Sequence, residues 1–182
     1  MPKAKYKKPH IPPFHKLVIA AKERAGRVLE EEVKRFADEE QQAFVQRIDK
    51  QEFPSFDAQP LSPRYAAWKK KKGLDERVMI ATGWYIENIK VWKRKESGTR
   101  RTAFFVGFHK RVQARDHKGR IVPVLLSTVA RVHEHGSVKM NVPARPHWGP
   151  QYKEMVKRAV PVRERIRARL VALFKKRMGM KT

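Results

Sequence analysis

The hydrophobic positions of residues 14 to 50 recur at the spacing of an α-helix. Glu and Gln occupy most other positions, and the apolar residues that fall near one face are Leu29, Val33, Phe36, Phe44 and Ile48. This period predicts a long amphipathic helix. It is predicted to end before FPSFDAQPLSP, because three prolines between residues 54 and 63 favour an extended loop.

A second, short helix is predicted from Ser62-Pro63, since Ser caps helix starts and Pro is favoured at the first helical position. It carries Tyr65 and Trp68 toward Gly73, with four lysines at 69–72 in its last turn. Lysines there suit the helix dipole.

The middle of the chain favours strands. A short helix followed by a strand is predicted between Trp84 and Trp92, and TAFFVGF is predicted to be its partner strand. The intervening KRKESGTRR forms the basic tip of this hairpin. The next segment, VQARDHKGRIVP, is predicted to be a loop with a second basic turn.

Two helices complete the prediction. VLLSTVARVHEHG has helical spacing and ends at Gly136, while residues 151 to 178 alternate apolar and basic residues at helical spacing, with Pro161 predicted to kink or restart the helix. The fold class is therefore α+β: a long N-terminal helix, a small antiparallel sheet with long basic loops, and a basic C-terminal helix. Three regions are predicted: a flexible basic arm (1–13), a single α+β domain (14–160) and a basic C-terminal helical extension (161–182).

The net charge of the chain predicts a binding partner. The formal net charge is +25, which predicts an acidic partner because such self-repulsion disfavours compaction. Between Glu23 and Asp57, however, ten acidic residues face six basic ones, so an acidic segment lies inside a basic chain. There is no cysteine, and no apolar run is long enough to span a bilayer, so we expect a protein made in a cytoplasm without membrane contact.

The histidine-rich stretch RVHEHGSVKMNVPARPHWGP raises the question of a metal site. His133 and His135 are two residues apart and point about 200° away from each other on a helix, so they do not share a face. The third histidine, His147, follows a Pro-Ala-Arg-Pro segment. We predict packing or surface roles for the three, with no metal, no cofactor and no catalytic residue; a histidine-metal hydrolase is the weakest alternative.

Nucleic-acid binding is the stronger alternative. Basic side chains at the loop tips are candidates for sequence-neutral contact with DNA phosphates. These candidates are Lys95, Arg100, Arg101, Lys110, Arg111, Lys118 and Arg120.

Four motifs, in order, resemble the phage virion morphogenesis and tail-completion proteins: LSPRYAAWKKKKG, IATGWYIENIKV, RVHEHGS and PARPHWGP, within about Leu61 to Ala159. The resemblance implies a small α+β structural protein of the virion neck or upper tail, without catalytic residues. It also implies a homo-oligomeric, hexameric ring around the DNA path, which joins the connector or portal-side proteins to the tail tube or tail terminator. The family elements fall here on Thr82-Gly83, Ile89, His133-Glu134, Gly136 and Pro143 to Pro146, while His135 and His147 depart from the pattern.

The hypothesis of a ring also predicts which residues lie at the subunit or partner interface. Arg145 lies between two prolines and is predicted to clamp a carboxylate or a helix C-terminus in its own or the next subunit, and Trp148 belongs to the same candidate interface. In a head-to-tail ring, an acidic face with Glu31, Glu32 and Glu39 is predicted to meet a basic face of the neighbour. A basic nucleic-acid-binding protein with no virion role remains the alternative.

Overall fold

The computed structural model describes residues 14–80, 83–95, 102–108, 111–115 and 120–177. Six helices and four strands lie in this part of the chain. In chain order they are α1 (Phe14–Asp49), α2 (Pro54–Ala58), α3 (Pro63–Lys71), α4 (Trp84–Glu87), β1 (Lys90–Lys95), β2 (Thr102–Gly107), β3 (Arg111–Arg115), β4 (Ile121–Leu125), α5 (Leu126–His135) and α6 (Trp148–Arg177). The predicted α+β class is confirmed. The arm at 1–13, the hairpin tip at 96–101 and residues 178–182 lie outside the described residues.

The antiparallel structure consists of two separate two-stranded sheets. β1 pairs with β2, which confirms the predicted hairpin, and Trp92 lies opposite Phe105. β3 pairs with β4, with Gln113 opposite Pro123. The prediction of a loop over residues 112–123 is therefore wrong at both ends. Pro123 is compatible with this ladder because a two-stranded sheet consists only of edge strands.

The core forms where the end of α1 meets α2, α4 and α5. Its buried residues are Phe44, Ile48, Phe53, Phe56, Val78, Ile80, Tyr85, Ile89, Leu126 and Ala130. Phe53 and Phe56 come from the stretch predicted to be an extended loop, and that prediction is wrong because residues 54–58 form α2. Pro54 begins this helix at a position where its missing N–H costs nothing.

The helices α1 and α6 run antiparallel and form a two-helix arm. Contacts join Arg47 to Gln151, Glu40 to Arg158, and Glu32 to Arg165, so residue numbers rise along one helix as they fall along the other. α6 continues through Pro161. Of the apolar face predicted for α1, Phe44 and Ile48 are buried as expected, whereas Leu29 is exposed and its neighbour Val28 is buried instead.

Candidate functional site

The segment from His133 to Trp148 folds back on itself, and His147 near its end is fully buried against Phe44, Phe53, Phe56 and Tyr85. Nδ1 of His147 lies 2.8 Å from the carbonyl oxygen of Arg145, and Nε2 lies 2.7 Å from the hydroxyl of Tyr85. Trp148 donates from Nε1 to the same hydroxyl at 3.0 Å. Burial lowers the pKa of His147, which favours the neutral ring; since a carbonyl only accepts, Nδ1 of that ring carries the hydrogen and Nε2 accepts from Tyr85. A continuous series of hydrogen bonds therefore runs from Trp148 through Tyr85 and the neutral imidazole of His147 to the carbonyl oxygen of Arg145.

Glu134 provides the N-terminal cap of α6 from outside that helix. Its carboxylate accepts from the backbone N–H groups of His147, Trp148 and Gly149 at 2.8, 2.9 and 2.9 Å. These groups have no partner inside the helix, and a negative charge at this end is favoured by the helix dipole. Burial raises the pKa of Glu134, but the three hydrogen bonds outweigh burial, so its pKa lies below the ordinary value.

Two glycines give the backbone room for this arrangement. A Cβ on Gly149 would lie 2.9 Å from the Glu134 carboxylate, and a Cβ on Gly136 would lie 2.9 Å from the backbone nitrogen of Ala144. Gly136 also has a φ of +76°, a left-handed value that side chains disfavour. The His-Glu-His-Gly stretch therefore turns back onto the Pro-Ala-Arg-Pro stretch.

Arg145 is only 4% exposed, and it is buried by residues of its own chain. Its Nη2 donates to the carbonyl oxygen of Pro60 at 2.8 Å, and its Nε donates to the carbonyl oxygen of Gln59, which follows the last residue of α2. The backbone N–H of Arg145 donates to the carbonyl of His133. The guanidinium thus binds the C-terminal end of a helix in the same chain, which is among the arrangements predicted from the sequence.

Lys69 has a similar role that the sequence analysis missed. It is 2% exposed, and its Nζ donates to the carbonyl oxygens of Arg77 at 2.7 Å and Ile80 at 3.2 Å. Burial lowers the pKa of Lys69. One of the four consecutive lysines therefore holds the loop after α3, while the other three are exposed.

The acidic candidates on α1 divide into two groups. Glu32 is 1% exposed and accepts from Arg165 at 2.7 Å and from Arg169, both on α6. Its hypothesised basic partner face therefore belongs to the same chain. Glu31 and Glu39 are exposed, although Glu31 lies 3.6 Å from Arg169. Of the three acidic residues predicted to lie at a subunit interface, only Glu31 and Glu39 are therefore exposed on the described surface.

A cleft of about 1240 Å³ adjoins this region, between α3 and the segment from α5 to Arg145. His133 lines it, and its Nδ1 has no hydrogen-bond partner among the described residues. His135 is exposed. In the described part of the chain no three metal-ligating side chains come together, and no helix there is long and apolar enough to cross a membrane.

The candidates for DNA contact are not gathered at one place. Arg111 begins β3 and Arg120 precedes β4, and the strand register puts them at opposite ends of the second hairpin; both are exposed. Arg100, Arg101, Lys110 and Lys118 lie outside the described residues, as does the side chain of Lys95. DNA contact through these residues stays a prediction.

Comparison with protein-family models, curated proteins and solved structures finds no significant match to this chain.

Acidification is expected to destabilise the fold through the buried histidines. Burial, aided by the charge of Arg145 and by His147, lowers the pKa of His133 to about 4, and burial lowers that of His147. Histidine in the unfolded chain titrates near pH 6.5. Between about pH 6.5 and 4 these two histidines are therefore protonated to a greater extent in the unfolded chain than in the folded one. Stability then falls as pH falls, by up to about 1.4 kcal/mol per pH unit for each histidine.

Urea unfolding at pH 7.5, 6 and 5 measures this slope, and comparison with the histidine variants separates it from the titration of carboxylates such as Glu40, whose pKa burial raises. His133→Gln is expected to reduce the slope, and His135→Gln, at an exposed position, to leave it unchanged. An unaltered slope in His133→Gln would show that His133 is protonated equally in both states.

Proposed function

We propose that this protein is a non-enzymatic structural component of a phage neck or upper tail, forming a homo-oligomeric ring that joins the head connector to the tail around the DNA path. The observation that carries the proposal is the convergence of the four motifs that resemble the family. Lys69, Tyr85, Glu134 and His147 each come from a different motif, and all four are engaged in the hydrogen bonds around the core. Side chains from motifs that are far apart in the sequence therefore hold together the same part of the fold.

The chemistry of these side chains supports a structural role. The Glu134 carboxylate holds three backbone N–H groups, Arg145 and Lys69 hold backbone carbonyls, and both ring nitrogens of His147 have partners. A general acid, base or nucleophile must be free to exchange protons or bonds with a substrate. Groups that are saturated by the backbone of their own chain instead fix the path of that chain.

Ring formation is supported by the charge distribution that remains on the surface. Glu32 and Glu40 are buried and paired with arginines of α6 in the same chain, while Glu31 and Glu39 on α1 are exposed, although Glu31 lies 3.6 Å from Arg169. Exposed basic side chains continue along α6, among them Arg163 and Arg167. An acidic patch and a basic patch on one subunit allow a head-to-tail contact that repeats until the ring closes.

Charge reversal of the exposed acidic pair is expected to separate the ring into folded monomers. Native mass spectrometry and light scattering at low salt should find a closed oligomer for the wild type and monomers for Glu31→Lys/Glu39→Lys, with unchanged helical circular dichroism. Glu32 stays unaltered, because it is buried and its reversal would break the pairing of α1 with α6. Glu31 also lies 3.6 Å from Arg169, so thermal unfolding must show that the double variant keeps this pairing. The control is Glu52→Lys/Glu76→Lys, an equal change in charge at exposed positions outside α1.

Two outcomes separate the proposal from its details. If the wild type stays monomeric at high concentration and lies as isolated copies in assembled particles, the ring is wrong. If the Glu31/Glu39 reversal still closes rings, the ring stands but the acidic patch is not its interface.

A further inference from the structure

The exposed side of α3 combines aromatic and cationic side chains. At 100° per residue, Arg64, Tyr65, Trp68 and Lys71 fall within an arc of about 120°, and Lys72, the residue after the helix, continues it. All five are exposed, and Tyr65 and Trp68 each keep 44% of their surface in solvent. We call these five residues the α3 face. Neither the core nor the network around His147 uses it.

The two aromatic rings of this face are stacked. The rings of Tyr65 and Trp68 are nearly parallel, at 11°, with centroids 5.4 Å apart. The buried Nζ of Lys69 lies 5.7 Å from the centroid of the Tyr65 ring. Around the helix, Tyr65 lies between Lys69 and Trp68. The buried lysine thus supports Tyr65 from the inside, and Trp68 is the outermost ring of the stack.

The cations of the α3 face are not neutralised by the described residues. Arg64, Lys71 and Lys72 have no ion pair there, and α3 itself contains no acidic residue. Asp75, in the loop after the helix, is held by Arg77 at 2.6 Å. The exposed Trp68 ring is therefore bordered by positive charge that lacks a counterion within the chain, which favours an anionic ligand.

We infer that the α3 face binds single-stranded nucleic acid, with an unpaired base stacked on Trp68 and neighbouring phosphates on Arg64, Lys71 and Lys72. Sequence-neutral sites for single strands combine these two elements: aromatic rings for the bases and cations for the backbone. A protein partner fits less well, because lysine is depleted in the cores of protein interfaces. The inference does not depend on the proposed ring, since each chain carries the whole site.

The test compares single-stranded and duplex DNA on the full chain. Fluorescence anisotropy with a labelled 20-nucleotide oligo-dT is expected to show binding that weakens steeply with salt. Trp68→Ala is expected to weaken it at least about fivefold, the lower end of the loss for one stacked base. Trp68→Phe, which retains a ring, should restore most of the affinity. Binding to a mixed-sequence duplex of equal length should change less than twofold in either variant, because its bases are already stacked.

Further variants test the role of the lysines and whether the effects are specific to the α3 face. Lys71→Gln/Lys72→Gln should weaken both DNA forms and reduce the salt dependence, because two phosphate contacts are lost. Tyr152→Ala removes an even more exposed aromatic from α6 and should change nothing, as should Lys175→Gln/Lys176→Gln near the end of α6. Circular dichroism and thermal unfolding confirm that each variant folds.

Several results would overturn the inference. Equal oligo-dT affinity for Trp68→Ala and wild type would exclude stacking on this ring. An equal loss for single strand and duplex would show that Trp68 does not read unpaired bases. Displacement of oligo-dT by poly-glutamate at the same concentration of charge would show that the face recognises negative charge alone, as an acidic protein partner would supply.

Discussion

Replacing Glu134 by alanine is expected to lower the free energy of unfolding by about 3 kcal/mol, since hydrogen bonds to a charged group contribute about 1.5 to 3 kcal/mol each and do not add fully. The change leaves three N–H groups at the start of α6 without their acceptor, and the residues before Trp148 offer no other cap. Urea unfolding followed by circular dichroism measures the loss, with an m-value close to that of the wild type.

Two variants test whether this loss comes from capping. Glu134→Gln keeps one acceptor oxygen but no charge, so an intermediate loss is expected. Glu164→Ala removes an exposed carboxylate farther along α6 and is expected to change stability by less than about 0.5 kcal/mol. A Glu134→Ala chain as stable as the wild type would mean that the start of α6 frays without cost.

Replacing Arg145 by lysine is expected to lower the free energy of unfolding by about 2 kcal/mol, although the charge is retained, because a hydrogen bond from a charged donor is lost. The guanidinium reaches the carbonyls of Gln59 and Pro60 with two different nitrogens, and a single ammonium does not reproduce this fork. The link between α2 and α3 should then be cut faster by proteases. Limited proteolysis with mass mapping locates the new cleavage, and urea unfolding gives the energy.

Arg131→Lys is the matched control, because Arg131 is exposed on α5. It should keep wild-type stability and the wild-type cleavage pattern. If Arg145→Lys matches the wild type in both measurements, the Gln59 and Pro60 carbonyls do not need the guanidinium, and the link is held by packing alone.

The helices were predictable because each one carries its own periodic signal. α1, α3, α5 and α6 show apolar spacing or a cap that the sequence displays locally, such as Ser62, whose hydroxyl accepts from the N–H of Tyr65. The first hairpin was predictable for the same reason, since the apolar alternation through Ile89 and Val91 and the apolar run of TAFFVGF flank a basic turn. α2 and the second hairpin were missed because prolines and basic residues obscured their short patterns.

The buried polar network was not predictable, since its contacts join residues that are far apart in the chain. Tyr85 and His147 are 62 residues apart, and Glu32 and Arg169 are 137 apart. Nothing near Glu32 distinguishes it from the exposed Glu31. One signal was available for Glu134: Pro-Ala-Arg-Pro-His contains no Ser, Thr, Asp or Asn to cap α6, so an acceptor from another element was required.

The two-helix arm has a consequence for how the chain folds during translation. About 100 residues separate the end of α1 from the start of α6, and at roughly 5 to 20 residues per second their synthesis takes about 5 to 20 seconds. Throughout that interval, the face of α1 that carries Glu32 and Glu40 has emerged without the arginines that neutralise it. Nascent α1 therefore exposes an acidic face, and this face is neutralised within the two-helix arm only when α6 has been made.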